Sequence, residues 1–291
     1  PTEDATVDEG YEPLVPAAPV LVRLTQTQYI LALTDLFGNE LTLPTSLEID
    51  TRADGLLVVG ASVTPISNRG SEQYEEAAQS IANQVVSEAH RAKVFPCQPS
   101  GTSDAACMSQ LAGQLGRLAW RRPLTEAELE LLVDIGSDAA TTLDDFYAGS
   151  AYVISAILQS PHFLYRQELG QGGELTGYEL ASRLSFLLWN SLPDEALLTA
   201  AENGELDTVD GIRTQAERLL ADPKSRRAVR NFFSEWLHLD TLPRMSKDPN
   251  VFRHYSPGLG LAAAEETLRL AEYLIFDQDA DMREFYTSST T

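Results

Sequence analysis

Hydrophobic residues recur at helical spacing over most of the chain beyond Ser71. Apolar side chains three and four positions apart are typical of one face of a helix, and loops containing Gly, Pro or Asp separate these segments. Strongly alternating apolar and polar positions, which indicate half-buried strands, are missing from this region. The sequence therefore predicts an all-α, mainly helical fold. The predicted helices span residues 72–93, 105–120, 126–140, 143–159, 177–190, 194–203, 208–221, 224–238 and 260–277.

Three helix starts carry a capping box, in which a Thr hydroxyl and a Gln or Glu side chain three positions later bond the free amides of the first turn. The three pairs are Thr25 with Gln28, Thr125 with Glu128, and Thr176 with Glu179. The first pair opens a short helix that we expect to end before Gly38.

The remaining segments predict the domain organisation. Residues 1–20 combine acidic residues with four prolines, which is typical of an extended leader or linker. Residues 39–70 are loop-rich and are interpreted as holding at most a small strand pair. The glycines of QGGELTG at 171–177 separate two helical blocks. We therefore expect an N-terminal helical domain at 21–170 and a second helical domain at 171–291, packed on the first.

The charge of the chain excludes some classes of partner. Its 291 residues include 21 Lys and Arg against 43 Asp and Glu, giving a net charge of −22 at pH 7. Nucleic acid and anionic lipid both attract basic surfaces, so we expect neither as an unassisted partner. No apolar run approaches the roughly 20 residues of a membrane-spanning helix, which predicts no transmembrane segment.

Cys97 and Cys107 flank a segment rich in Pro, Gly, Ser and Asp, which is flexible enough to close into a disulfide loop. Two unrelated free thiols are the alternative. Because disulfides persist in oxidising compartments, the pair favours a secreted, periplasmic or cell-surface location. The four histidines form no HExxH, HxH or CxxCH motif, so the sequence predicts no local metal site and no covalently attached c-type haem in this chain.

Two arginine-containing segments supply candidate functional residues. His162 stands in SPHFLYR beside Tyr165 and Arg166, where an imidazole either ligates, titrates or bonds a backbone carbonyl. Arg183 lies on a predicted helix as either a buried ion-pair partner or a ligand clamp. It is also spaced four residues after Glu179, which is favourable for a helical ion pair.

Other patterns have structural interpretations. Arg121 and Arg122 either pair with carboxylates, the favoured interpretation, or bind an acidic partner. The apolar residues of two helices are interpreted as core: Leu180, Leu184, Leu187 and Leu188 in one, and Phe232, Phe233 and Trp236 in the other.

The carboxylates of Asp277, Asp279 and Asp281 begin like a calcium-binding loop. Met282 and Ser288 replace the glycine and glutamate that such a loop requires, so a solvated helix end is favoured over a calcium site.

Six segments in a fixed order carry a family resemblance. They are Arg23-Leu24-Thr25 leading to Tyr29, Thr34–Gly38, RRPLTEAEL at 121–129, LQSPHFLYRQE at 158–168, LTGYELASRLSFLLWNSLPDEALL at 175–198 and FFSEWLHLD at 232–240. Over residues 20–291 the chain resembles secreted planctomycete and myxobacterial proteins of unknown function. These consist of several consecutive uncharacterised domains and often occur with c-type cytochrome modules.

The resemblance implies a function. Such proteins usually continue beyond the equivalent of residues 281–286 to a Cys-x-x-Cys-His motif, whereas this sequence stops at Thr291. The resemblance thus implies an N-terminal portion, truncated or processed, that docks a haem-c-bearing C-terminal part or separate partner in an oxidoreductase or electron-transfer system. His162, Tyr165, Arg166 and Arg183 would line the pocket or interface, with the arginines directed at haem propionates or an acidic substrate.

Two alternatives remain open. One is a non-catalytic binding or scaffold module at the cell surface, which the lack of a catalytic motif favours. The other is a polysaccharide-active enzyme with paired carboxylates. The sequence leaves open whether the chain is an enzyme.

Overall fold

Helices dominate the computed structural model, which describes residues 20–170, 174–248 and 250–288. The predicted leader at 1–20 lies outside the described residues except for Val20, as does part of the 171–177 segment. The helices are α1 (Gln26–Phe37), α2 (Leu57–Val63), α3 (Asn68–Val85), α4 (Arg91–Val94), α5 (Ala105–Trp120), α6 (Glu126–Leu143), α7 (Phe146–Gln159), α8 (Pro161–Leu164), α9 (Gly177–Leu188), α10 (Glu195–Glu202), α11 (Val209–Ala221), α12 (Ser225–Trp236) and α13 (Leu259–Glu272). Short 3-10 turns cover Glu205–Asp207, Leu239–Arg244 and Met282–Tyr286, and a π-helical turn, Tyr273–Asp277, extends α13.

The three predicted capping boxes are confirmed at the starts of α1, α6 and α9. In each box the Thr hydroxyl accepts from the amide three residues on, and the side chain at that position accepts from the Thr amide. These reciprocal bonds fix where the helices begin.

A two-stranded antiparallel sheet joins distant parts of the chain. Strand β1 (Val20–Arg23) pairs with β2 (Tyr165–Glu168), so that Val22 lies opposite Arg166 and Val20 opposite Glu168. Alternate residues of a strand point to opposite faces. The sheet therefore sends Arg166 and Glu168 to one side and Tyr165 and Gln167 to the other.

The segment at 39–70 differs from the prediction, because its apolar residues form a helix. LVVGASV is α2, and the strand-like pairing within the segment is limited to an isolated bridge between Ala53 and Leu56. A Cβ on Gly60 would lie 1.7 Å from the Thr51 carbonyl oxygen, so only glycine allows this close approach. The Leu57 amide donates to the Glu235 carboxylate at 2.8 Å. The close approach to Thr51 and the bond to Glu235 favour a helix here, although the Val residues of the segment have a high β-propensity.

The described residues bury two hydrophobic clusters. The larger contains side chains from α1, α3, α5, α6, α7 and α8, including Tyr29 and Phe163, which make an edge contact at 5.6 Å. The smaller surrounds Trp189, whose indole donates to the Leu219 carbonyl at 2.8 Å. The proposed division into two domains near residue 171 stays a prediction.

Helix α9 contacts both clusters, which corrects the predicted leucine core. Leu180, Leu184 and Leu188 are only partly buried against the smaller cluster, and Leu187 is exposed. The buried positions of α9 are small residues and Phe186, which joins the larger cluster. A helix between two clusters buries two narrow faces rather than one leucine stripe.

Cys97 and Cys107 form the predicted disulfide, which ties the loop before α5 to the first turn of that helix. Asp104 caps the same helix by accepting from the Cys107 amide at 3.0 Å. No helix in the described part of the chain is both long enough and apolar enough to cross a membrane.

A buried ion pair attaches β1 to the 39–70 segment. The fully buried Arg23 guanidinium lies 2.9 Å from an Asp50 oxygen and also bonds the Leu24 carbonyl and the Tyr74 hydroxyl. The second Asp50 oxygen accepts from the Gln26 amide at 2.7 Å. The two charges are thus paired with each other and bonded by side chains and backbone that only the folded chain brings together.

We expect Asp50→Ala to lower the free energy of unfolding by about 3–5 kcal/mol, because it leaves the Arg23 charge buried without its partner. Chemical denaturation monitored by circular dichroism measures this change. Glu72→Ala, which breaks the exposed Arg69–Glu72 pair, is the control and should change stability by at most about 1 kcal/mol. Equal effects of the two substitutions would contradict this role of the buried pair.

Candidate functional site

A cavity of about 890 Å³ lies between the sheet, α2, α9 and α12. Its walls are mostly apolar. Most of its polar side chains come from β2, from α9 with the residues that follow it, and from α12. The cavity volume falls within the roughly 300–1,000 Å³ of small-molecule pockets. It is therefore the candidate site.

The sheet supplies one charged wall. Val22 and its strand partner Arg166 both line the cavity, as does Glu168 two residues further along β2. Arg183 reaches the same carboxylate from α9 and forms an ion pair with Glu168. Two guanidinium groups thus meet a single carboxylate at this wall.

Arg166 is under-satisfied for a charged group. Its side chain is 11% exposed, its ion pair with the Glu168 carboxylate is 4.0 Å long, and its buried Nε has no hydrogen-bond partner among the described residues. Its guanidinium lies 5.2 Å from the centre of the Phe186 ring. Burial lowers the pKa of Arg166, partly offset by the nearby Glu168. A buried guanidinium with free donors favours an anion.

Asn190 adds a neutral donor to the same cavity. It follows α9 in the left-handed conformation, at φ 57°, which Asn adopts more readily than most residues. Its Oδ1 accepts from Gln28 Nε2 at 3.0 Å, whereas its buried Nδ2 has no partner in the described part of the chain. Asn190 is only 4% exposed, so the unused donor is unusual.

Helix α12 supplies most of the aromatic side chains of the cavity wall. Phe233 is buried as predicted, but Phe232 and Trp236 are 51% and 41% exposed, which corrects their interpretation as core. They stack on each other at 5.8 Å. The Glu235 carboxylate on this wall is already bonded to the Leu57 amide and to Asn231.

Arg121 and His162 lie in a separate, smaller cavity of about 260 Å³. Arg121 is buried and donates to the backbone carbonyls of Ala119, His162, Phe163 and Tyr165. This corrects the expectation that it pairs with a carboxylate. Arg121 instead ties the end of α5 to the turn that precedes β2.

Arg122 makes the predicted carboxylate pair, with Glu128 at 2.8 Å. His162 lies over Trp120, with ring centres 4.9 Å apart, and its Nδ1 contacts Gln167 Nε2 at 2.9 Å. Burial and the neighbouring Arg122 lower the pKa of His162.

The structure separates the four candidate residues. Arg166 and Arg183 line the large cavity, His162 lines the small one, and the half-buried Tyr165 side chain packs against the larger core. Glu168 and Asn190 also line the large cavity; both lie in segments that carry the family resemblance, but neither belongs to a motif that predicts a site. The predicted helical pair of Glu179 and Arg183 is wrong. Glu179 instead binds the amides of Leu169, Gly170 and Thr176.

Two of the three aspartates of the calcium-like pattern form ion pairs with arginines. Asp277 pairs with Arg226 at 2.9 Å, and Asp281 pairs with Arg283. No group of three His, Cys, Asp or Glu residues suited to a metal ion occurs within 20–170, 174–248 and 250–288.

Comparison with family models divides the chain into three parts. Residues 23–87 match PSD3, a protein of unknown function (DUF1587), residues 107–168 match PSD5 (DUF1595), and residues 175–291 match PSD4 (DUF1592). The chain carries three consecutive domains of unknown function. This agrees with the resemblance noted in the sequence. Comparison with curated proteins and with solved structures finds no match.

All three domains contribute to the large cavity. The PSD3 part supplies Gln28 and Leu56, the PSD5 part supplies Arg166 and Glu168, and the PSD4 part supplies α9 and α12. The cavity is thus lined by residues from all three matched segments of the chain.

We predict a pH dependence from Glu128, whose hydrogen bond to Arg122, together with those at the helix start, lowers its pKa to about 2. Because the folded pKa lies below that of an unfolded Glu, the stabilisation is complete above about pH 4.5 and is lost as the pH falls towards 2. Glu128→Gln keeps the capping box but should reduce the free energy of unfolding at pH 7 by about 2 kcal/mol.

Urea denaturation between pH 2 and 7 measures the difference, which should shrink towards zero at the acid end. Glu72→Gln serves as the exposed control. A difference between wild type and Glu128→Gln that does not vary with pH would contradict the assignment.

Proposed function

We propose that this chain is the docking part of a c-type-cytochrome-linked redox system outside the cytoplasm. It would receive a haem-bearing domain, carried on the same polypeptide or on a partner, at the mouth of the large cavity. The exposed apolar surface at this mouth carries the proposal.

Four side chains that line the cavity are also exposed: Leu187 by 68%, Phe232 by 51%, Met282 by 42% and Trp236 by 41%. They line the same cavity, and Phe232 stacks on Trp236; we call these four residues the aromatic rim. Contiguous apolar patches on a soluble protein are typical of interaction sites, and exposed Trp and Phe are enriched there. The apolar edge of a haem group suits such a surface.

The negative net charge of the chain supports a partner with a basic surface. A net charge of −22 attracts a cationic domain over long distances and speeds its encounter with the chain. Arg183, 50% exposed beside the cavity, offers a guanidinium to an acidic group on the docked surface, such as a haem propionate. The partner would thus combine a basic surface with an apolar centre and a local anion.

The order of the three matched segments, which agrees with the family resemblance, supports the proposal that the docked domain carries haem. The three matched families are of unknown function, and the link to c-type cytochromes is what the resemblance of the sequence implies. This sequence contains no CxxCH, so the haem would be attached to the docked domain rather than to this chain. The disulfide is consistent with the oxidising compartments in which c-type cytochromes function.

Photo-crosslinking in the source cells tests the docking. A benzophenone amino acid is placed at position 232 in the aromatic rim and, in a control, at position 131, where the native Leu131 is exposed on α6. We expect irradiation to give a crosslinked product that stains for covalent haem from position 232, at least fivefold above the product from position 131.

Two results would contradict the proposal. A crosslink from position 232 to a haem-free polypeptide would favour the binding or scaffold alternative. Equal haem-stained products from both positions would show that the aromatic rim is not the docking surface.

A further inference from the structure

We infer that the interior of the large cavity binds a small amphipathic carboxylate, a molecule with one anionic head and an apolar body. This inference goes beyond the proposed docking, because it concerns the inside of the cavity rather than the aromatic rim. It rests on two unused donors, on the charge of one wall and on the apolar character of the others.

The unused donors define the position of the head group. Arg166 and Asn190 both line the cavity, and neither Arg166 Nε nor Asn190 Nδ2, both buried, has a hydrogen-bond partner among the described residues. Buried polar groups in folded proteins nearly always have partners, because an unbonded donor keeps its cost of desolvation. A carboxylate has two oxygens and accepts from a guanidinium and an amide together.

The net charge of the wall indicates the sign of the charge on the ligand. Arg166 and Arg183 face only Glu168, so this group of three side chains carries a net charge of +1. The other acidic residue of the lining, Glu235, has both carboxylate oxygens bonded, to the Leu57 amide and to Asn231 Nδ2. A monoanion neutralises the excess charge, whereas a cation would meet no free carboxylate.

The remaining walls fit an apolar body. Phe186, Leu188, Val229 and Ile275 line the cavity together with the inner sides of the aromatic rim. Removing an alkyl chain from water against such side chains is favourable by about 0.8 kcal/mol for each buried methylene group. Phe186 also lies against the Arg166 guanidinium, so the apolar wall begins beside the head-group donors.

Isothermal titration calorimetry on the purified chain tests the inference with three probes of equal chain length. These are dodecanoate, dodecanol and dodecyltrimethylammonium, each below its aggregation concentration. We expect dodecanoate to bind at one site, with an affinity at least tenfold higher than that of dodecanol, and the cationic probe to be weakest.

Arg166→Met locates the head group, because it removes the charge but keeps an unbranched apolar side chain. It should weaken dodecanoate at least tenfold and leave dodecanol within about twofold. Arg213→Met, at an exposed position on α11 outside the cavity lining, is the matched control and should change neither probe.

Equal affinities of wild type for dodecanoate and dodecanol would overturn the inference, as would the absence of dodecanoate binding. This comparison needs no variant, so it stands even if Arg166→Met fails to fold. Dodecanoate binding that is unchanged in a folded Arg166→Met protein would also overturn it. None of these assays contains a haem protein, so their outcome is independent of the crosslinking result.

Discussion

The antiparallel pairing of Val20–Arg23 with Tyr165–Glu168 is the interaction on which the site depends. It joins residues about 145 positions apart and turns alternate side chains to opposite faces. On one strand it buries Arg23 against Asp50, and on the other it turns Arg166 and Glu168 into the cavity. Together with the Arg183–Glu168 ion pair, this short sheet fixes the position of the charged wall relative to α9.

Several arginine side chains connect separate elements of this acidic chain. Arg23 meets a buried carboxylate, Arg121 meets four backbone carbonyls, and Arg122 meets Glu128. The planar guanidinium, which offers five donors, suits such multiple contacts. Against this background Arg166 differs, because it lines an apolar cavity, its contact with the Glu168 carboxylate is 4.0 Å long and its buried Nε has no partner among the described residues. That difference, rather than any motif, indicates the binding site.

Local patterns predicted much of the fold. The capping boxes at Thr25, Thr125 and Thr176 and the start and end of α5 follow from hydrogen bonds and periodicity within a few residues. The helix at 57–63 could not be predicted this way, because its start depends on Glu235, about 178 positions away. The exposure of Phe232 and Trp236 was also beyond prediction, since periodicity identifies an apolar face but not whether another element covers it.

The site was predictable only in part. Arg166 and Arg183 stood out as cations in apolar segments, and the structure places both at one cavity. Glu168 and Asn190 became recognisable only when distant segments met, since a single carboxylate or amide in a sequence carries no signal. His162 and Tyr165 were grouped with Arg166 by sequence proximity, yet strand alternation and the Arg121 contacts send them elsewhere.

Native mass spectrometry of the unreduced protein purified from its source, with a visible absorption spectrum of the same sample, tests the docking account most directly. The account predicts a species heavier than the 31.9 kDa of this chain that contains its sequence and shows a Soret band. A single haem-free species of 31.9 kDa would contradict it.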